Sequence, residues 1–375
     1  MFNEFTSPIR VAFVVHKMQV AGAEVLVRET IHRLGRCIEP TIFCLDAIGS
    51  IGEELLAEGV PVICLNRIAQ GRDLGVSRRM AREIRDRKIQ VVHAHQYTPF
   101  FYAALAKPLT GFSFRLIQTE HGRHYPDTVS PIRRAVNRLI LDRLADAVNA
   151  CCQFSGRALS RVDGFRGNRI EVIDNGIDWN SVATNPDRAA LGLDPTRKYV
   201  ACVARFHPVK DHKMLLRAFS SVASEVPDAD LLLAGEGPDQ GYLEELAQSL
   251  GIAERVKFLG VRHDVPQVLA ACDVFALTSI SEAASLTLME AMAAGLPSVV
   301  TDVGGNPEVV RRDVDGYLVP RGDSKACALA LIRLLTDKQL AYRMGSSAKA
   351  RARECFDLNR TIARYFGLYK HYVLR

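Results

Sequence analysis

The segment Ser281-Glu282-Ala283-Ala284-Ser285-Leu286-Thr287-Leu288-Met289-Glu290 sets two carboxylates around the start of a helix. It follows a strand pattern over Asp273–Thr278, and Ser285 is of the type that caps a helix N-terminus. Glu282 is then expected in the loop at the strand's carboxyl end, and Glu290 within the first turns of the helix. Backbone N–H groups of Ala284, Ser285 and Leu286 would point outward with the positive helix end, where a phosphate or a hydroxyl-bearing group can bind. Each carboxylate can accept paired hydrogen bonds from vicinal hydroxyls, which ribose and a pyranose both offer. A solvated Glu282 and a Glu290 that only favours the helix dipole fit the same spacing.

A second cluster, Arg205-Phe206-His207-Pro208-Val209-Lys210-Asp211-His212, also comes directly after a strand. The planar fork of Arg205 and the point charge of Lys210, brought together across a turn at Pro208, suit a diphosphate. A helix-entry turn with surface cations is the plainer reading. Val20-Ala21-Gly22-Ala23-Glu24 forms a small-residue turn that lets backbone approach a ligand, without the full GxGxxG spacing of nicotinamide-cofactor folds. His93-Ala94-His95 and Glu120-His121-Gly122-Arg123-His124 each end a predicted strand, where a histidine can bond hydroxyls or carry a proton. Strand-end histidines more often serve structure. No HExxH, EF-hand loop, P-loop or Gly-x-Ser-x-Gly elbow occurs, so neither a metal nor NTPase or hydrolase chemistry is expected.

The elements that must position these residues are short apolar β-branched runs alternating with helical periods almost end to end. Strands are expected at Arg10–Val15, Thr41–Cys44, Val60–Cys64, Gln90–His93, Arg115–Thr119, Ala147–Cys151 and Ile170–Ile173, with helices such as Ala23–Leu34, Ser77–Lys88 and Ile132–Leu144 between them. The rhythm pauses in the polar stretch from Asn185-Pro186 to Asp194-Pro195. It resumes with strands at Tyr199–Ala204, Asp230–Ala234, Val256–Leu259, Asp273–Thr278, Ser298–Thr301 and Tyr317–Val319. Runs apolar throughout belong to strands covered on both faces, so the fold class is α/β with two doubly wound parallel sheets. The expected domains are 1–185, 186–355 and a C-terminal helix, 356–375, whose aromatic face packs back toward the first domain. Ligands in such folds bind at the carboxyl ends of the strands, in an interdomain cleft.

The chain's 375 residues, 48% hydrophobic and 24% charged, are ordinary globular composition for about two domains. No apolar run nears the ~20 residues of a membrane span, and no leader pattern follows the run Val11–Val15. Nine cysteines without regular spacing read as reduced thiols of a cytoplasmic protein. Net charge is +6, and the first 185 residues carry 24 Lys and Arg against 19 Asp and Glu. The excess gathers at Arg72–Lys88 and at Arg133, Arg134 and Arg138, as an anionic partner or simply solvated helix faces would require. These basic patches lack interleaved aromatics, so no nucleic-acid partner is expected.

Taken in order, the motifs resemble the retaining nucleotide-sugar glycosyltransferases of family four (group 1), which have the GT-B fold of two facing Rossmann-like domains. The resemblance runs through Gly22-Ala23-Glu24, Asn175-Gly176-Ile177-Asp178, Arg205…Lys210, Gly235-Glu236-Gly237-Pro238 and Val256–Gly260. It is densest over Glu282…Glu290–Pro297, then Asp302-Val303-Gly304-Gly305 and Pro307–Val310. It implies that Arg205 and Lys210 clamp the diphosphate, Glu290 holds the ribose and Glu282 the donor sugar. It assigns backbone contacts to Ala284, Ser285 and Leu286, and sets the base against the strand end at Phe258. Gly22 corresponds to a loop near the phosphates, and His121 to the active-site histidine. One departure stands out: the family's Glu-Gly-Phe reads Glu282-Ala283-Ala284, leaving donor-sugar identity open.

The implied reaction moves a sugar from a UDP- or GDP-sugar to an acceptor hydroxyl with retention and without a metal or cofactor. Front-side attack is expected, a diphosphate oxygen taking the acceptor proton, with closure about Val182–Leu193 excluding water. The basic first domain, with Arg133, Arg134 and Arg138 beside Ile132, Val136, Leu139 and Ile140, favours a lipid-linked glycan or polysaccharide precursor at an anionic membrane face. Alternatives are a sugar-nucleotide epimerase or phosphorylase on the same scaffold, or a non-catalytic nucleotide-sugar binder.

Overall fold

A computed structural model describes residues 7–68, 73–122, 128–183 and 187–374. By contact the described residues form two compact units: one holds those up to Asp174 together with those from Asn359 onward, the other those between Asn175 and Leu358. The expected 185/186 boundary falls on residues outside the described set, as do Arg72, Arg123, His124 and part of the Val182–Leu193 stretch.

The first unit is built on β1 (Ile9–Lys17), β2 (Ile38–Ala47), β3 (Val62–Cys64), β4 (Val91–His95), β5 (Arg115–Glu120), β6 (Ala147–Ala150) and β7 (Ile170–Val172). They form one parallel sheet in the order β3-β2-β1-β4-β5-β6-β7. The second unit has β8 (Lys198–Val203), β9 (Ala229–Ala234), β10 (Val256–Gly260), β11 (Val274–Leu277), β12 (Ser298–Thr301) and β13 (Gly316–Val319). These pair in parallel as β10-β9-β8-β11-β12-β13. Every strand expected from the sequence forms. Ala229–Ala234 and Val274–Leu277, inside their sheet, are buried throughout, whereas β3 and β7 at the edges of theirs keep partial exposure. In each sheet the order reverses once, between β1 and β4 and between β8 and β11, the position at which open α/β sheets bind ligands at the carboxyl ends of their strands.

The C-terminal helix, Leu358–Val373, packs on the first unit. Tyr365 and Tyr369 set their rings edge-on against His93 at 5.0 and 5.7 Å, and Tyr372 Oη donates to the Asp146 carbonyl at 2.8 Å. Its aromatic stripe thus covers the polar end of β4.

The segment expected as one helix over Ile132–Leu144 is instead a helix at Pro131–Val136, a π-helical turn at Asn137–Leu141 and a short helix at Asp142–Leu144. Asn137 explains the wider turn. It is buried, accepts from Tyr97 Oη at 2.7 Å and donates to the Asp163 carbonyl at 2.9 Å, so its amide is satisfied only from that inward position.

Asn175-Gly176-Ile177 joins the second unit through backbone pairing. Ile177 N–H donates to the Phe356 carbonyl at 2.9 Å, and Leu358 N–H to the Ile177 carbonyl at 3.1 Å. Only a residue without Cβ fits between them, since a methyl on Gly176 would lie 2.5 Å from the Leu358 nitrogen. Gly176→Ala is therefore expected to cost about 1–3 kcal/mol, read as a lower denaturant midpoint with native circular dichroism; an unchanged midpoint would contradict this close approach.

Candidate functional site

The site in the second unit begins with the pairing of β8 and β11, in register at Val200 with Val274 and Ala201 with Phe275. Loops distant in sequence therefore leave the same point of the sheet. After β8, Phe206 turns inward and is fully buried, its ring edge-on to His212 at 5.0 Å and to Phe258 at 5.9 Å. A 3₁₀ turn at Pro208–Lys210 follows. Asp211, at φ +47°, then caps the helix His212–Glu225 by accepting from Met214 N–H. Two bonds stitch this loop to the one after β11: Ile280 N–H to the Val209 carbonyl at 2.8 Å, and Thr278 Oγ1 to the Asp211 carbonyl at 3.0 Å.

Stitched in this way, the loops deliver Lys210 and Glu282 to each other. Lys210 Nζ donates to Glu282 Oε2 at 2.5 Å, and Ser279 Oγ donates to the same oxygen at 2.9 Å. Ser279 is itself held, its carbonyl accepting from Thr301 Oγ1 at 2.7 Å. The backbone of Glu282 is fixed from β12's loop, where Gly305 N–H donates to its carbonyl at 3.1 Å. Gly304 lies so close, at φ +58°, that a Cβ there would fall 1.8 Å from that oxygen. Ala283 and Ala284 are buried and neither has positive φ, so the alanines in place of Gly-Phe cost no backbone strain. Asn175 Nδ2 donates to the Ala284 carbonyl at 3.1 Å.

Ser285 does cap the helix Leu286–Ala294, its Oγ accepting from Leu288 N–H at 3.3 Å. The first-turn amides ahead of Leu288 have no acceptor within the helix. Glu290, on that helix, keeps some surface but is enclosed by protein on most sides, and burial pushes its carboxyl up to about 7. Burial likewise holds the His212 imidazole down to about 4, with Lys210 adding to the effect.

Arg205 is exposed beside buried Phe206, while Lys210 turns to Glu282. Phe258 is half-buried and supports Phe206. Gly22 is the exposed first residue of the helix Gly22–Leu34 in the other unit. His121 follows β5 there, and its Nε2 lies 2.8 Å from His95 Nδ1. Sequence reasoning singled out neither Ser279 nor the supporting roles of Asn175 and Gly304. The two motifs holding Asn175 and Gly304 were visible, whereas nothing in its local pattern marks Ser279. Among the described residues no group of three His, Cys, Asp or Glu side chains is placed to hold a metal ion.

Sequence profiles of two families match: the one described as Glycosyl transferases group 1 over residues 184–351, and Glycosyltransferase Family 4 over residues 20–180. N-acetyl-alpha-D-glucosaminyl L-malate synthase of Bacillus anthracis is 32% identical over 305 residues, covering 79% of this chain and 78% of its own. The chain belongs to the group 1, family four glycosyltransferases. The glycosyltransferase also resembles EpsF of Bacillus subtilis, a putative glycosyltransferase, at 29% identity over 79% of this chain and 80% of that one. Anabaena HepE, solved in complex with UDP and glucose, superposes with a TM-score of 0.85 at 25% identity, covering 96% of this chain and 99% of its own. The two parallel-sheet units are those of the GT-B fold. These relatives favour sugar transfer over the epimerase, phosphorylase and non-catalytic readings.

Because the folded glycosyltransferase holds the Glu290 proton more tightly than the unfolded chain, with its carboxyl near the ordinary 4.5, the associated stability is full below about 4.5 and lost as pH rises through 7. Between pH 5 and 8 wild-type protein should lose on the order of 1–3 kcal/mol relative to Glu290→Gln. Denaturant midpoints measured across that range check this, and parallel curves for the two proteins would refute it.

Proposed function

We propose that this glycosyltransferase binds a UDP- or GDP-sugar at the carboxyl ends of β8 and β11 and transfers the sugar to an acceptor hydroxyl with retention. The UDP complexes of HepE support the uridine nucleotide. The observation that carries the reading is the meeting of Lys210 and Glu282 beside the amides that open the helix Leu286–Ala294. A cation there offsets charge developing on a diphosphate leaving group, with Arg205 as the second cation. Glu282 accepts from the donor sugar's hydroxyls and Glu290 from the ribose. Backbone amides at Ala284, Ser285 and Leu286 bind sugar and phosphate oxygens. The base rests against the β10 end at Phe258. The family resemblance brings Gly22 and His121 of the first unit into the same reaction. No side chain is assigned as covalent nucleophile and no metal as a cofactor; the acceptor proton goes to a diphosphate oxygen as the C–O bond to the leaving group breaks and the new one forms on the same face.

The acceptor class we assign is a lipid-linked glycan at an anionic membrane face. Ile132, Leu139 and Ile140 are 75%, 58% and 51% exposed, beside exposed Arg134, Arg138 and Arg143. Such a mixture partitions an apolar edge into lipid while its cations meet anionic headgroups. Arg133 belongs to the fold instead, stacked 3.6 Å over the Tyr97 ring and 3.4 Å from Asp163. Among the described residues no helix is long and apolar enough to cross a membrane, so contact would be peripheral.

Lys210→Ala and Glu282→Ala should each lower turnover with the preferred nucleotide sugar by about 10²–10³-fold while the melting temperature moves little. Near-wild-type turnover in either variant overturns the assignment. Vesicles with anionic headgroups should pellet the protein at low salt and release it at high salt, and Arg138→Glu combined with Leu139→Asp should weaken the effect; no pelleting at low salt rules out the lipid-face reading.

A further inference from the structure

In the first unit, the parallel register of β4 and β5 sets His95 opposite Thr119, and β6 sets Asn149 opposite Thr119 in turn. His93, His95, Thr119 and Asn149 therefore share one face of the sheet, at its carboxyl end. The four are fully or almost fully buried, and His121 follows just beyond β5. Their hydrogen bonds fall into two separate sets. His93 Nδ1 accepts from Tyr369 Oη at 2.7 Å, its Nε2 donates to Thr119 Oγ1 at 2.6 Å, and Thr119 donates onward to Asn149 Oδ1. Among the described residues the His95 ring instead bonds His121, Nδ1 to Nε2 at 2.8 Å, with ring planes 10° apart and centroids 5.0 Å apart, the edge-to-edge arrangement that an in-plane N–H···N bond needs. Among the described residues His95 Nε2 is buried without a hydrogen-bond partner.

That lone nitrogen decides the direction of the His95–His121 bond. One ring must donate and the other accept, because burial keeps both imidazoles neutral, with His121 pushed down to about 4 and His95 well below its ordinary value. If His121 donated from Nε2, His95 would carry its own proton on Nε2, as an N–H buried with nothing to receive it. If His95 donates from Nδ1, its buried Nε2 is a bare lone pair, the milder of the two deficits. We infer that His95 is a positioning residue that locks His121 in the tautomer with Nε2 unprotonated and Nδ1 protonated. His121 is then a fixed neutral donor: Nε2 is occupied by His95, and Nδ1–H is the group left to offer a proton to a ligand oxygen. It cannot serve as a general base through either nitrogen in this state.

The inference deepens the reading that His121 is the active-site histidine, and its test does not depend on that reading. Ring ¹⁵N resonances of the full-length protein report the tautomer directly, with His121→Gln and His95→Asn spectra providing assignments. In the wild type His121 should show a protonated Nδ1 and a lone-pair Nε2. Asn places its amide nitrogen where His95 has Nδ1, whereas Gln places it one bond further out. His95→Asn should therefore keep the His121 tautomer and stay within about threefold of wild-type kcat. His95→Gln should release His121 to the Nε2–H form or to averaging, and lower kcat about tenfold with little change in donor KM. An Nε2–H His121 in the wild type, or an unaltered His121 tautomer in His95→Gln, overturns the inference even if turnover falls. Failure of the donor-site reading would show separately, as turnover insensitive to Lys210→Ala and Glu282→Ala.

Discussion

The site depends on one topological constraint: β8 and β11 are neighbours although β9 and β10 intervene in sequence. Reversal of strand order at that pair forces the following loops to leave the sheet side by side. Everything chemical in the second unit then follows from how the loops are tied. Ile280 and Thr278 bond the backbone at Val209 and Asp211, Thr301 holds Ser279, and Ser279 orients the Glu282 carboxylate toward Lys210. The ion pair is thus the last link of a hydrogen-bonded chain that spans three strand ends. An isolated pair at the protein surface would be worth under about 1 kcal/mol, and long side chains alone would not hold this geometry. Preorganisation comes from the backbone stitching beneath it.

Much of this was legible because parallel sheets write themselves plainly into sequence. A strand buried on both faces is apolar almost throughout, so runs such as Val11–Val15 and Leu231–Ala234 stand out, and loops after them mark the sites. The carboxylates and the Ser285 cap were readable for the same reason. What was not legible depends on partners distant along the chain. Local spacing suggested that Arg205 and Lys210 would converge on a diphosphate; it held no sign that a carboxylate from another loop, Glu282, would engage Lys210. The π-helical turn at Asn137 was equally hidden, since a helical period records which residues are apolar, not that a buried amide draws its turn toward Tyr97 and Asp163.

The Ala283-Ala284 pair illustrates a different limit. Replacing Gly-Phe looks drastic in sequence, yet neither alanine needs a left-handed backbone and both pack inward. The intolerance of this loop to side chains lies instead across from it, at Gly304, where the Glu282 carbonyl leaves no room for a Cβ. A glycine that matters to a catalytic loop can thus sit on another segment, at the point where that segment supports the loop.

The electrostatic state of these groups follows from the same packing. Lys210 is compensated by Glu282, and Glu290 is driven toward its neutral form by burial. On the reading proposed above, a neutral sugar brings no charge able to replace the carboxylate on Lys210, whereas a diphosphate does. Its arrival would transfer Lys210 from Glu282 to phosphate and leave the Glu282 oxygens to accept sugar hydroxyls. Hydroxyls on Glu290 would favour its ionised form and repay part of the desolvation that raised it. Nucleotide and sugar would then be recognised as one ligand, because binding the first changes the charge state of the groups that hold the second. The cost of separating Lys210 from Glu282 selects against the sugar alone, the discrimination a transferase needs if free sugar is not to occupy its donor site.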